Sequence, residues 1–384
     1  MLINRLHIHK FKIFSSLVKW IAVICFYLTF AVKPQMMKAA VLTDYNRVEW
    51  KEVKTPLCKK GEVLIRVTFA SICGSDQHIF TGEFHPRTQP PMVMGHEFTG
   101  TVVETGDGVT GFSQGDKVAP DPIIWCGECP ACQLGHYPAC TSLKLIGVDL
   151  DGGFAQYISL PPDMLYKVPA SIPDQHAALV EVLSIGFHAK NRAGVQKGDV
   201  IAIWGSGKVG MCILEAVRTV TDAPVFMVDI LDKRLSVGPA HYDRVIPINA
   251  LKEDPVKRIM EETEGRGVDI AFEAVGHALE EARTVNPVRG CVQSIRGAGT
   301  VCVLGLGNEP APVVFKELIW KEGRIITSRV SHGEFAETIR HLSEGTLKPE
   351  ALITDTLPAA RAQQAFQMLE EEKDLHLKIL LDLS

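Results

Sequence analysis

The chain has 384 residues, 46% hydrophobic and 22% charged, which is material for two globular domains and excludes a disordered or fibrous class. Its formal net charge of -5 at pH 7 gives no electrostatic reason to expect nucleic acid or an anionic membrane surface as a partner. Four of its ten cysteines fall between Cys126 and Cys140, a pattern that in an enzyme-sized chain points to metal binding in a reducing cytoplasm rather than to a secreted disulfide framework.

In chain order, Arg5, Lys10, Lys12 and Lys19 precede an apolar run from Trp20 to Val32. This imitates a signal peptide, but it lacks a clear small-residue cleavage site and is short for a membrane span. A fresh beginning follows at Met36-Met37-Lys38-Ala39-Ala40-Val41, so residues 1–36 are set apart as an extension outside the fold. A membrane anchor is the minority reading.

From Met37 to about Leu160, short β-type runs alternate with Gly, Pro and Asp turns: Ala39–Leu42, Val63–Phe69, Phe98–Val103, Lys117–Ala119 and Phe154–Ser159. This predicts an irregular β-rich domain. From about Leu183 the texture becomes apolar strands and amphipathic helices, with strands expected at Val200–Trp204, Val225–Val228, Val245–Ile248, Val268–Phe272, Thr300–Leu304 and Arg324–Val330. Six strands with helix-length spacers predict an α/β fold with a doubly wound parallel sheet over 184–330. The tail, with a helix at Phe335–Leu342, a strand at Leu352–Thr356, a helix at Ala360–Glu371 and an apolar Lys378–Leu383, is assigned to the first domain. That domain then comprises 37–183 and 331–384.

Cys126, Cys129, Cys132 and Cys140 bring four thiolates to one loop. Four such ligands fill a tetrahedral zinc shell and leave no open position, so a structural role is expected. Cys73-Gly-Ser75-Asp76-Gln-His78 and Gly95-His96-Glu97 supply a thiolate, an imidazole and a carboxylate, the donors zinc accepts when one position stays open. Zinc there would polarise an alcohol oxygen; Ser75 takes its proton, His78 passes the proton to solvent, and Asp76 orients an imidazole ligand through its free ring nitrogen.

The run Val200–Trp204 feeds Gly205-Ser206-Gly207-Lys208-Val209-Gly210 and then an amphipathic stretch. The glycine pattern thus has its strand, turn and helix, and predicts a dinucleotide with its pyrophosphate on the helix N-terminus. Asp229 closes the second strand, where a carboxylate holds the ribose hydroxyls of NAD and repels the extra phosphate of NADP. Arg234 joins these residues as a cofactor-binding candidate.

At this point the sequence resembles the zinc-containing medium-chain alcohol dehydrogenases from Met37 to Leu383. Gly115-Asp116-Lys117-Val118 and Gly152-Gly153-Phe154-Ala155-Gln156-Tyr157 are similar to two further family motifs, and Val268–Gly276 resembles its fourth Rossmann strand. The resemblance implies a GroES-like catalytic domain, a Rossmann domain and a site between them. It implies Cys73 and His96 as catalytic zinc ligands and Glu97 as a ligand or close neighbour. The stretch Val180–Gly186 looks most like the sorbitol, butanediol and threonine dehydrogenase branch, which makes Glu181 the remaining zinc-site carboxylate.

Two departures stand out: Val182 replaces a usual proline, and Asn286–Gly297, with Arg289 and Arg296, is more basic and less regular than the family's helix. The expected activity is NAD-dependent oxidation of a secondary alcohol in a polyol, vicinal diol or amino alcohol, with two zinc ions per chain. A homotetramer or dimer rests on the resemblance alone. A zinc-free NADPH-dependent quinone or enone reductase and a non-catalytic zinc-stabilised dinucleotide-binding protein stay open as alternatives.

Overall fold

The computed structural model describes residues 35–276, 284–308, 310–372 and 374–384. The apolar run Trp20–Val32 lies outside them. Met36, assigned to the extension by sequence, instead opens the strand Met36–Asp44, which pairs antiparallel with Arg47–Lys54.

In the first lobe a seven-stranded sheet runs in the order Leu165–Lys167, Lys117–Pro120, Glu97–Thr105, Val63–Ser71, Lys378–Asp382 and Ile353–Pro358, with Tyr157–Leu160 also on Val63–Ser71. Val63–Ser71 is buried at eight of its nine positions, because partners flank it on both sides and apolar side chains cover both faces. Lys378–Asp382 joins it antiparallel, through Leu380 opposite Ser71 and Leu381 opposite Ala70. The C-terminal segment thus enters the first sheet and brings Lys378 inside.

The second lobe is a six-stranded parallel sheet in the order Val245–Asn249, Val225–Asp229, Ile201–Trp204, Val268–Glu273, Ile295–Val303, Arg324–Thr327. The strand order reverses between Ile201–Trp204 and Val268–Glu273. Side chains at the carboxyl ends of these two strands therefore face a crevice that a dinucleotide can enter.

Several boundaries differ from the expectation. Phe154 lies ahead of the strand, which is Tyr157–Leu160, and the last Rossmann strand ends at Thr327, before Val330 with its φ of 48°. A single helix, Val180–Ala193, crosses the expected junction at 183/184. Val182, where a proline is usual, is buried inside its first turn. Asn286 caps a regular helix, Pro287–Ser294, by accepting from the Val288 and Arg289 backbone N–H groups. Arg289 pairs with Glu317 and Arg296 with Asp269, which neutralises the excess charge there. Among the described residues no helix is long and apolar enough to cross a membrane.

Candidate active site

Cys73 is the N-cap of the helix Gly74–Thr81, and its backbone N–H donates to Oδ2 of Asp76 at 2.8 Å. The other oxygen of Asp76, Oδ1, faces Nδ1 of His96 at 3.6 Å. Asp76 is wholly buried and His96 nearly so. One carboxylate therefore holds the thiol-bearing residue by a hydrogen bond and stands behind the imidazole as a charge, with no hydrogen bond between Oδ1 and Nδ1, while Nε2 of His96 faces Ser75 Oγ at 3.4 Å.

Among the described residues the donor atoms of Cys73, His96 and Glu97 all lie within 4.8 Å of one another. Glu181, from the first turn of Val180–Ala193, stands outside that set, but its buried Oε2 has no hydrogen-bond partner. Glu97 differs: both its oxygens accept from Nζ of Lys378, at 2.5 and 2.6 Å, and neither residue is exposed.

Electrostatics follow from this packing. Burial pushes the Glu181 carboxyl up to about 8 against the pull of His96. Burial also opposes ionisation of Glu97, yet Lys378 outweighs it and holds that carboxyl below its ordinary range. Burial disfavours a charged His96, but Asp76 and then Cys73 keep its pKa well above the usual value. A thiol and an imidazole whose donor atoms lie together, with Glu97 among them and the unpaired Glu181 oxygen within electrostatic reach of His96, supply the S, N and O donors that suit a divalent cation such as zinc.

Around the second cysteine set, sulfur separations are 3.5 Å for Cys129–Cys132, 3.6 Å for Cys126–Cys140 and 4.0 Å for Cys126–Cys132. A tetrahedron with zinc–sulfur bonds of about 2.3 Å has edges of about 3.8 Å, so the loop fits zinc. Backbone N–H groups of Cys126 and Cys129 also point at sulfurs, of Cys140 and Cys126 respectively. Backbone donors of Cys132 and Thr141 bring the Cys129 thiol down to about 6, nearer the thiolate that metal binding requires.

In the second lobe, Gly205 turns with φ of 102°, and a Cβ on Gly210 would lie 1.8 Å from the Gly205 carbonyl oxygen. Both glycines are thus required for the helix Lys208–Arg218 to start against its strand. Asp229 does more than the sequence suggested: Oδ2 accepts from Ser206 N–H at 2.7 Å and Oδ1 from Ile230 and Leu231 N–H, so it fastens the glycine turn itself. An Nη1 of Arg234 comes within 3.9 Å of the Cβ position of Gly207. Val209 follows Lys208 on the first turn of the helix and is partly buried.

His78 sits apart from the donor set. Its Nδ1 pairs with Glu83 at 2.8 Å, its ring stacks on Phe84, and its side chain is 43% exposed. No hydrogen bond joins it to Ser75 among the described residues. Lys378 escaped the sequence reading, which took it as the start of an apolar strand; a lysine heading a buried run was the available signal, because a buried ammonium requires a partner.

Residues 59–170 match the alcohol dehydrogenase GroES-like domain and residues 209–344 the zinc-binding dehydrogenase family. L-Threonine 3-dehydrogenase of Pyrococcus horikoshii is 35% identical over 334 residues, covering 85% of this chain and 92% of the relative. Sorbitol dehydrogenase of Bacillus subtilis is 30% identical over 360 residues, covering 91% and 98%. Among solved structures, the alcohol dehydrogenase rspB of E. coli CFT073 complexed with NADH superposes with a TM-score of 0.82 at 29% identity, over 91% of this chain and 100% of that one. With its β-rich lobe, its Rossmann lobe and these relatives, the chain belongs to the zinc-type alcohol dehydrogenase family.

Proposed function

We propose that the chain oxidises a secondary alcohol, in a polyol, vicinal diol or amino alcohol, with NAD as hydride acceptor and zinc held by Cys73, His96 and a carboxylate. The observation that carries this reading is the meeting of the metal-type donor set with the glycine turn: Nζ of Lys208 lies 3.9 Å from the Cβ position of Gly74, next to Cys73. Zinc bound there supplies Lewis acidity that lowers the alcohol's pKa, and the nicotinamide supplies the hydride acceptor.

The chain's residues do the rest. Asp76 fixes the tautomer and tilt of His96 from behind. Ser75, beside His96, takes the alcohol proton as its own hydroxyl proton leaves to solvent, and His78, paired with Glu83 at the solvent edge and not bonded to Ser75, receives that proton from solvent. Glu181 is favoured over Glu97 as the third protein ligand, because Lys378 already occupies both Glu97 oxygens while Oε2 of Glu181 is unpaired. Cys126, Cys129, Cys132 and Cys140 hold a second, structural zinc, which suits a reducing cytoplasmic setting. Asp229 and Arg234 bind the adenosine ribose.

A homo-oligomer accords with the outer edge of Arg324–Thr327, the last strand of its sheet, beside exposed Phe315, Ile319 and Trp320. The test is a panel of polyols, diols and amino alcohols with NAD or NADP, together with metal analysis. About two zincs per chain and NAD-linked turnover support the proposal. NADPH-linked enone reduction without zinc would establish the reductase reading in its place, and one zinc without turnover the binding-protein reading.

A further inference from the structure

Lys208 is the first residue of the helix Lys208–Arg218, whose N-cap, Gly207, contributes no side chain. Its side chain leaves the Rossmann lobe and crosses to the catalytic lobe, where Nζ stops 3.9 Å from the position a Cβ on Gly74 would occupy. Gly74 in turn is the first residue of Gly74–Thr81. The ammonium therefore reaches from its own helix N-terminus, which has no side-chain cap, toward that of Gly74–Thr81, which Cys73 and Asp76 cap.

The groups acting on this ammonium through space are Lys378, which repels it, and Cys73, Glu97 and Asp76, which attract it. None of the three attractive groups is at its disposal. Glu97 is held by Lys378, Asp76 serves Cys73 and His96, and Cys73 belongs to the metal donor set. Among the described residues Lys208 makes no hydrogen bond or ion pair. Other sequestered lysines do: Lys190 pairs with Glu337, and Lys321 donates to three backbone carbonyls.

The uncapped end of Lys208–Arg218 and an unneutralised ammonium beside it form an anion site that no group of the chain fills among the described residues. Resting on the dinucleotide reading above, we infer that the Lys208 ammonium grips the cofactor's pyrophosphate from the cleft side, adding a side-chain cation to the backbone cradle of the glycine turn. A carboxylate on the substrate is the other anion that this cleft can receive.

The test uses the zinc-loaded full-length enzyme and compares wild type with Lys208→Met and Lys208→Arg for equilibrium binding of ADP-ribose, which carries the pyrophosphate, and of adenosine, which does not. Lys208→Met should weaken ADP-ribose and NADH about ten- to hundredfold with adenosine little changed. It should also flatten the salt dependence of ADP-ribose binding, and Lys208→Arg should restore most of the affinity. Unchanged ADP-ribose affinity in Lys208→Met would overturn the inference; if the alcohol's KM alone rose, the amine serves a substrate anion. Equal losses for adenosine would show disruption of the fold and overturn it too. A wild-type chain that binds no ADP-ribose would instead remove the dinucleotide reading itself.

Discussion

Asp76 joins Cys73 to His96: one carboxylate oxygen accepts the Cys73 backbone N–H at 2.8 Å, and the other faces the His96 ring at 3.6 Å. Burial raises the Asp76 carboxyl, against the opposing pull of His96 and of the Cys73 N–H. Asp76→Asn preserves the shape and the Cys73 contact but removes the charge behind the imidazole. Zinc affinity measured by chelator competition should fall roughly ten- to hundredfold, with one zinc per chain lost first and the four-cysteine zinc retained. Wild-type affinity in this variant would refute the role given to Asp76.

Lys378 and Glu97 illustrate the asymmetry of buried ion pairs. Both are at zero exposure, and removing either partner leaves the other buried without its counter-charge. Lys378→Met alone should destabilise the chain by about 3–5 kcal/mol. The double variant Lys378→Met with Glu97→Gln should recover much of that stability, because no uncompensated charge remains. Denaturant midpoints of the four proteins in this cycle check the claim. Additive losses would mean that the pair is not coupled as its geometry indicates.

Much of this architecture was legible in the residues, and the reasons are local. The two cysteine–histidine fragments and the glycine turn announce themselves because each needs rare residue types at fixed spacing. The parallel strands were equally visible as short apolar runs, with Ile201–Trp204 and Val225–Asp229 buried nearly throughout, although the edge strand Arg324–Thr327 is largely exposed. Lys378 was not, because its meaning depends on a partner 281 positions away. Asp229 was read as a ribose ligand, while its hold on Ser206 N–H depends on the close approach of two strand ends. The helix Val180–Ala193 was cut at 183 because its first turns are buried all round and carry little period.

That helix also bears a prediction about how the two lobes are kept in register. A Cβ on Gly186 would lie 2.1 Å from the backbone carbonyl oxygen of Cys212, an atom that cannot swing aside. Gly186 shares a helix with Glu181, and Cys212 shares one with Lys208. Gly186→Ala must push the helices apart, at a cost of about 1–3 kcal/mol, and displace Glu181, the carboxylate proposed as a zinc ligand, from the glycine turn. We expect a lower melting temperature and a fall in kcat exceeding the change in zinc content. A variant with native stability would show that the helices separate freely.

Glu215, on the same helix as Lys208, contributes one term to the pH dependence of stability. It is fully buried; Oε2 accepts from Tyr242 Oη and the Lys348 N–H, while Oε1 has no partner. Burial outweighs those hydrogen bonds and raises the carboxyl from 4.5 to about 7. Below pH 4.5 folded and unfolded chains both hold this proton, and the group contributes no slope. Between there and pH 7 the folded chain keeps a proton that the unfolded chain has lost, so this term favours the fold less as pH rises. Above about 7 both are ionised, and the accumulated loss levels off at about 3 kcal/mol. Glu215→Gln cannot titrate and retains an acceptor for Tyr242 and Lys348. Its melting temperature should therefore change less than that of wild type between pH 5 and pH 8, and identical pH profiles for the two proteins would show that Glu215 ionises in the fold as it does in water.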